Sequence, residues 1–372
     1  MNGSLSLKRY SVRLWTMIFD DDIHYNCKRL DSFNKTFNFI ISGRGSGKST
    51  RILKKVLDAY KRDGSVTLWL MRNETQYTDF YVSSFLNHFE QYEGLFTKPS
   101  GVYDGDRNTP VVIFAAISTA MAKIKSIQID KVKFIVFEEF IPNLRLPNQR
   151  YQKNEAETLL TVYDTIARNN NYLTKVYWLG NPYQLNNPYF QFFKIDPKKV
   201  RENKGKIYIP HPDMAIDYFD TNAEIKALRA ETPYARVARL NDEYYRTSFE
   251  GDEASPPTCR VMKVKPESAR LSMVIKVEGA DLMVYTLMNP IADETYKWKI
   301  FIYWCEIGRY NGQRVKLAID LDDFDETSKM MDSRSSERDI LTSFITRARS
   351  GGYIVDQEAT DYYIRSAMAI IR

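Results

Sequence analysis

The segment around residues 37–57 constrains this chain more than any other. A short, mostly apolar run over 37–41 ends in Ser42-Gly43-Arg44-Gly45-Ser46-Gly47-Lys48-Ser49-Thr50, and Ile52, Leu53, Val56 and Leu57 follow at helical spacing. Strand, glycine loop and helix are the expected order. Glycines at 43, 45 and 47 let backbone N–H groups turn toward one anion, and the helix that follows aims its positive end at the same point. In such a loop Lys48 reaches the β- and γ-phosphates of a nucleotide and Ser49 offers its hydroxyl to Mg²⁺. The first position of the usual pattern is Gly, and here it is Ser42.

A hydrolytic site also needs a carboxylate for the metal shell and one to orient water, best placed at the end of a neighbouring strand. Phe134-Ile135-Val136-Phe137-Glu138-Glu139 supplies both. Glu138 is expected to face the metal, although Asp is commoner there, and Glu139 to act on the attacking water as a general base. Arg44, Lys125, Arg145 and Arg168 are candidates for neutralising charge on the transferring group, and each alone would be an ordinary surface cation. Asn181 follows the apolar run 176–179 and is placed to sense the γ-phosphate.

Around these motifs the pattern predicts strands at 66–71 and 111–115, a helix at 82–93 and another at 154–168. Strands alternating with helices predict an α/β domain with a mostly parallel, doubly wound sheet. The first 36 residues read as a lead-in packed beside the glycine loop. The rhythm fades near 205, where Pro210-His211-Pro212 breaks the chain, and 222–246 reads as helical and charged. A small polar linker at 251–257 precedes strand-like runs at 273–277, 282–287, 298–304 and 315–319 and a final helix at 362–371. The expected division is 1–207, a helical linker domain over 208–256, and an α+β domain over 257–372.

Fifty-three Lys and Arg against 47 Asp and Glu permit a polyanionic partner without requiring one. Three scattered cysteines, Cys27, Cys259 and Cys305, exclude a disulfide framework and fit a reducing cytosol. No run reaches the roughly 18 apolar residues of a membrane span, so the expectation is a soluble, intracellular protein without membrane contact. The 25 Tyr, 20 Phe and 5 Trp are read as core packing in preference to base stacking.

Arg-Gly-x-Gly-Lys-Ser at 44–49, Ile-Val-Phe-Glu-Glu-Phe at 135–140 and Asn-Pro-Tyr-Phe-x-Phe-Phe at 187–193 resemble the DNA-packaging ATPases of phi29-like tailed bacteriophages. The likeness is specific over about the first 200 residues and rests on layout beyond them. It implies an ASCE-type, terminase-like ATPase domain, a helical linker domain, and a C-terminal domain resembling a degenerate RNase H-like nuclease. It also implies a homopentameric ring in the host cytoplasm, docked at the portal of a procapsid, using ATP and Mg²⁺ to drive double-stranded DNA inward beside a packaging RNA. By the same pattern Arg168 falls at the arginine finger acting on a neighbour's site, and Lys125 at a second trans-acting cation.

In the last domain Glu278, Asp281, Asp320, Asp322, Asp323 and Asp325 are numerous but poorly arranged for a two-metal centre, so nuclease activity is not expected. Lys263, Lys265, Arg347 and Arg349 are candidate phosphate contacts there. Two other readings stay open. A P-loop kinase would need an acceptor pocket and an arginine-rich lid, which is not evident after 154–168. A nucleotide-regulated binding module of the GTPase kind would carry Asn-Lys-x-Asp downstream of the loop, and none occurs.

Overall fold

The computed structural model describes residues 24–76, 85–86, 89, 92–105, 109–124, 131–143, 149–152, 154–246, 253, 260–277, 279–291, 301–308, 316–318, 326, 328–330, 336–349 and 353–370. The chain forms two compact units, Met1–Ala254 and Ser255–Arg372.

The first unit begins with helix α1 (Lys28–Asp31), strand β1 (Phe37–Ile41), helix α2 (Lys48–Asp63) and strand β2 (Val66–Met71). Strands β3 (Leu95–Lys98), β4 (Gly101–Asp104) and β5 (Thr109–Ala116) follow, then helix α3 (Ile117–Ile124), β6 (Val132–Glu138), α4 (Glu155–Ala167) and β7 (Lys175–Gly180). Helices α5 (Pro188–Phe192) and α6 (Pro197–Glu202), strands β8 (Ile207–His211) and β9 (Met214–Tyr218), and helices α7 (Ala223–Ala230), α8 (Pro233–Ala238) and α9 (Asp242–Tyr245) complete it.

Nine strands make one sheet in the order β3-β4-β5-β2-β6-β7-β1-β9-β8. From β5 through β9 in that order every pairing is parallel, and antiparallel hairpins close both edges. The apolar runs are those expected of strands buried on both faces. Phe39 and Ile41 feed one core layer, with Trp178, Phe140 and Phe190. Ile40 feeds the other, with Trp69, Phe114 and the Ile52, Leu53, Val56 and Leu57 face of α2. Many aromatics go inward, and Phe39 stacks on Trp178 at 4.3 Å, whereas Phe33, Phe96, Tyr172, Phe192 and Tyr234 are exposed.

The structure corrects the sequence reading in three places. Strand β6 does not adjoin β1, because β7 lies between them. At Pro210-His211-Pro212 the chain does not leave the sheet: Pro210 and His211 end β8, Pro212 begins the turn of the β8–β9 hairpin, and β9 pairs with β1. The expected boundary at 207 therefore cuts this sheet at its last hairpin, and α7–α9 lie in the same compact unit as the sheet. The helix expected at 82–93 falls largely outside the described residues. Glu253 ties the end of the unit back, accepting Arg201 Nε at 2.6 Å.

The second unit holds strands β10 (Arg260–Val261), β11 (Ala269–Val277), β12 (Ala280–Ile291), β13 (Phe301–Ile307), β14 (Lys316–Ala318) and β15 (Ser328–Met330). Helix α10 (Ser336–Arg349), strand β16 (Tyr353–Val355) and helix α11 (Glu358–Ile370) end it. The sheet order is β10-β16-β13-β12-β11-β14-β15, an antiparallel β11-β12-β13 meander extended by parallel strands. Leu341, Phe344 and Ile345 of α10 and Ile364 and Ala367 of α11 cover one face. Cys27 and Cys305 are buried thiols, and among the described residues no helix is long and apolar enough to cross a membrane.

Candidate functional site

The carboxyl ends of β1, β6 and β7 meet at one cavity of about 250 Å³ lined by Arg44, Ser49, Thr50, Glu138, Glu139 and Asn181 among others. Its floor is the glycine loop. Gly45 (φ 78°) and Gly47 (φ 87°) take left-handed conformations that a side chain would resist, and Gly47 caps α2. Ser42, standing where glycine is usual, has a role of its own: its hydroxyl donates to Ser46 Oγ at 2.6 Å and ties the loop across itself.

Lys48 is buried, and its ammonium donates to Ser42 O (2.9 Å), Gly43 O (3.1 Å) and Asn181 Oδ1 (3.2 Å). Burial pushes its value down to about 7, with Arg44 and Arg229 adding to the effect and Glu138 and Glu139 opposing it. An ammonium held this way is short of negative charge. Burial also works against the charge on Arg44, but Tyr183 and Glu139 outweigh it and hold the guanidinium above its ordinary value.

Ser49 Oγ donates to Glu138 Oε1 at 2.6 Å, and the other carboxylate oxygen accepts Trp69 Nε1 at 3.0 Å. The extra methylene of Glu138 over Asp lets it bridge the start of α2 and the indole on β2. Hydroxyl beside carboxylate at a phosphate-binding loop is an oxygen donor set that suits Mg²⁺, which takes one or two protein ligands and otherwise prefers water and phosphate. Among the described residues no cluster of three or more acidic, His or Cys side chains able to hold a metal occurs.

Glu139 stands on a strained peptide, at φ 54°. Burial and then the neighbouring charge of Glu138 push its carboxyl up, against the pull of Arg44, Arg72 and Lys48. A raised carboxyl facing a phosphate loop has the property a general base needs. Arg72, which the sequence reading passed over, fixes this geometry. It closes β2, donates to Glu139 O (3.0 Å) and Phe140 O (3.1 Å), and is locked to Glu155 by bonds of 2.8 and 2.9 Å. Tyr189 and the Gln152 amide also donate to Glu155, so both charges are satisfied inside the core. An arginine directly after six fully buried strand residues was the available signal. Gln76 Nε2 reaches Glu139 Oε2 at 3.4 Å.

Of the lead-in, the described residues from His24 onward reach the loop: Tyr25 N donates to Ser46 O at 2.9 Å, and His24 lies against Gly47. Arg168 does not enter the cavity. It is exposed at the end of α4 and pairs with Asp164 at 3.2 Å, itself exposed. Lys125 and Arg145 lie outside the described residues, as do Glu278, Asp320, Asp322, Asp323 and Asp325. Asp281 is held by Lys316 at 3.0 Å.

The family described as podovirus DNA encapsidation protein (Gp16) matches residues 19–292. The chain belongs to this family. It is 27% identical to the DNA packaging proteins of Bacillus phages PZA and phi29 over 221 residues, 59% of this chain and 62% of theirs. The match thus spans about three fifths of the length of those two relatives. It is also 27% identical to the DNA packaging protein of Bacillus phage B103 over 275 residues, 71% of this chain and 82% of that one. Among solved structures, the bacteriophage Phi-29 viral genome packaging motor assembly aligns with a TM-score of 0.61 at 21% identity, over 94% of this chain and 100% of that one. The Phi-28 gp11 DNA packaging motor aligns with a TM-score of 0.58 at 16% identity, over 94% and 98%. At those identities the likeness is one of fold, and it places this member of the encapsidation family among chains of the same architecture.

Proposed function

We propose that this chain is the ATPase subunit of a viral packaging motor, coupling ATP hydrolysis to movement of double-stranded DNA into an empty procapsid. The observation that carries the reading is one cavity holding Lys48, the Ser49–Glu138 pair at 2.6 Å and Glu139 on a fixed peptide. The loop amides and Lys48 bind the polyphosphate, and its charge restores the proton that burial takes from the ammonium. Mg²⁺, held by Ser49 with Glu138 behind it, would spread charge off the β- and γ-oxygens when bound. Glu139 takes the proton of the attacking water, Arg44 offsets charge on the γ-phosphoryl group, and Asn181 orients Lys48.

Packaging is supported by the family and by relatives named DNA packaging proteins, and ATP as fuel and duplex DNA as cargo complete it as part of this proposal. A homopentameric ring at the portal, a packaging RNA and action in the host cytoplasm complete the reading. The exposure of Arg168 supports its use as a finger on a neighbour's site, since it does not line the nucleotide cavity of its own chain. Helices α7–α9 act as the linker, and the second unit is read as a vestigial RNase H-like domain without nuclease activity. Its mixed sheet and the capture of Asp281 by Lys316 support that.

The test is steady-state ATP hydrolysis with and without duplex DNA. Stimulation by DNA, abolished by Lys48→Ala, is expected; phosphate transfer to a small acceptor instead would make the protein a kinase. Mixing Arg168→Ala with Glu139→Gln subunits is expected to restore part of the activity. No recovery at any ratio would remove Arg168 from the mechanism.

A further inference from the structure

Helix α7 belongs to the segment read as a linker, yet its last turn reaches the glycine loop that floors the nucleotide cavity. Arg229 donates from Nη1 to the carbonyl of Arg44. The same guanidinium covers Gly45 so closely that a Cβ there would lie 3.2 Å from Nη1. Gly45 is thus required twice, for its left-handed backbone and for the room it leaves Arg229. The contact spans 185 residues of sequence and is made within the first unit.

We propose that Arg229 is a phosphate-binding residue supplied in cis by α7, which reports the β- and γ-phosphates of the bound nucleotide to the helical segment. The inference rests on the nucleotide reading of the cavity. Arg229, Arg44 and Lys48 put three cationic groups around one loop, and burial and Arg44 hold the Arg229 guanidinium below its ordinary value. On the carbonyl of Arg44 it makes a hydrogen bond to a neutral acceptor, whereas a phosphate oxygen offers a charged one about twice as strong. Moving from one to the other draws the last turn of α7 toward the ligand. Asn222, which caps α7 through Glu224 N at 2.7 Å, keeps that helix a single body. The α8 helix follows three residues later, so a shift of α7 is passed on to the segment proposed as the linker.

The experiment uses the full chain, free of nucleotide at the start, and measures ATPγS and ADP affinity for wild type, Arg229→Ala, Arg229→Lys and Lys48→Ala. Arg229→Ala is expected to weaken ATPγS about ten-fold, as for one charge-assisted hydrogen bond, and ADP less, so that the ratio of the two affinities falls. Arg229→Lys should recover part of the loss, because a point charge replaces the planar fork. ATPγS should slow proteolysis within 223–246 in wild type, and that protection should be lost in Arg229→Ala at saturating ligand. An unchanged ATPγS-to-ADP ratio in Arg229→Ala, with Lys48→Ala defective for both ligands, overturns the proposal and leaves the cavity's assignment standing. Binding unaffected by Lys48→Ala overturns the assignment itself, and the proposal with it.

Discussion

The two sheets of this protein treat charge in opposite ways. At the ends of β1, β6 and β7 like charges are grouped: Arg44 and Arg229 near Lys48, and Glu138 beside Glu139. Burial then moves Lys48 down and Glu139 up. On the second sheet Asp281 is answered by Lys316 at 3.0 Å, and in α11 Asp361 is answered by Arg365 and Tyr353, each at 2.6 Å. Packing that serves stability closes each charge on its opposite. A pocket for a polyanion and a water molecule instead crowds like charges together, at a cost to the empty protein.

The sharpest way to break that contrast is to neutralise one charge of the grouped set. Glu139→Gln is expected to lower steady-state ATP turnover about 10³-fold, the scale of a lost general base, while ATP binding persists. Turnover at the parental rate would take Glu139 out of the chemistry. In wild type, activity should fall as pH drops through the raised value of Glu139, since the base must be ionised to accept a proton. The next effect is on stability. Arg72→Ala leaves Glu155 charged and unpaired in the core, which costs about 3–5 kcal/mol. Arg72→Met with Glu155→Met should recover most of that in denaturant unfolding, because a packed apolar pair replaces the ion pair. Turnover should stay low in the double variant, since the carbonyls of Glu139 and Phe140 have lost their donor. Full activity there would reduce Arg72 to a structural residue.

How much was legible follows from how local each feature is. Strands β1 and β2 could be bounded to the residue, because runs buried on both faces need no partner to be recognised. The β3–β4 and β8–β9 hairpins were missed. β3 alternates half-buried with exposed residues, and β8 carries Pro210, which an edge strand tolerates. Such strands owe their stability to the neighbour they pair with, which a single sequence does not display. The same holds in the cavity. Lys48, Ser49, Glu138 and Glu139 sit in two short motifs, and the structure brings them together. Arg72 acts through Glu155, 83 residues away, and Arg229 through a loop 185 residues away, so neither leaves a local pattern. The run at 176–179 was legible as a strand, but its place between β1 and β6 was not, because sequence order does not give strand order.

A smaller effect tests the other half of the contrast. Asp281→Ala takes a carboxylate partner from Lys316, which is largely buried, and should cost about 1–3 kcal/mol in unfolding of the second unit with ATP turnover unchanged. A loss of turnover at intact stability would mean that this sheet is not merely closed on itself.

The least conspicuous consequence concerns a single proton. Lys48 sits at about 7 in the folded, empty protein, against about 10.4 for a free lysine. Between those values the unfolded chain binds the extra proton and the folded chain does not. Stability of the empty protein therefore rises with pH across that window, and the contribution of Lys48 is flat below about 7, where both states carry the proton. A bound polyphosphate works against this slope, because its charge favours the ammonium and raises the value again. Nucleotide binding near pH 8 is thus expected to take up most of one proton, and uptake by Lys48 should fade toward about pH 6, where it is already charged. Calorimetry in buffers of different ionisation enthalpy reads the number directly from the slope of the apparent binding heat. Binding with no proton uptake near pH 8 would show that Lys48 is fully charged in the empty cavity, and that its carbonyl partners at Ser42 and Gly43 compensate the burial after all.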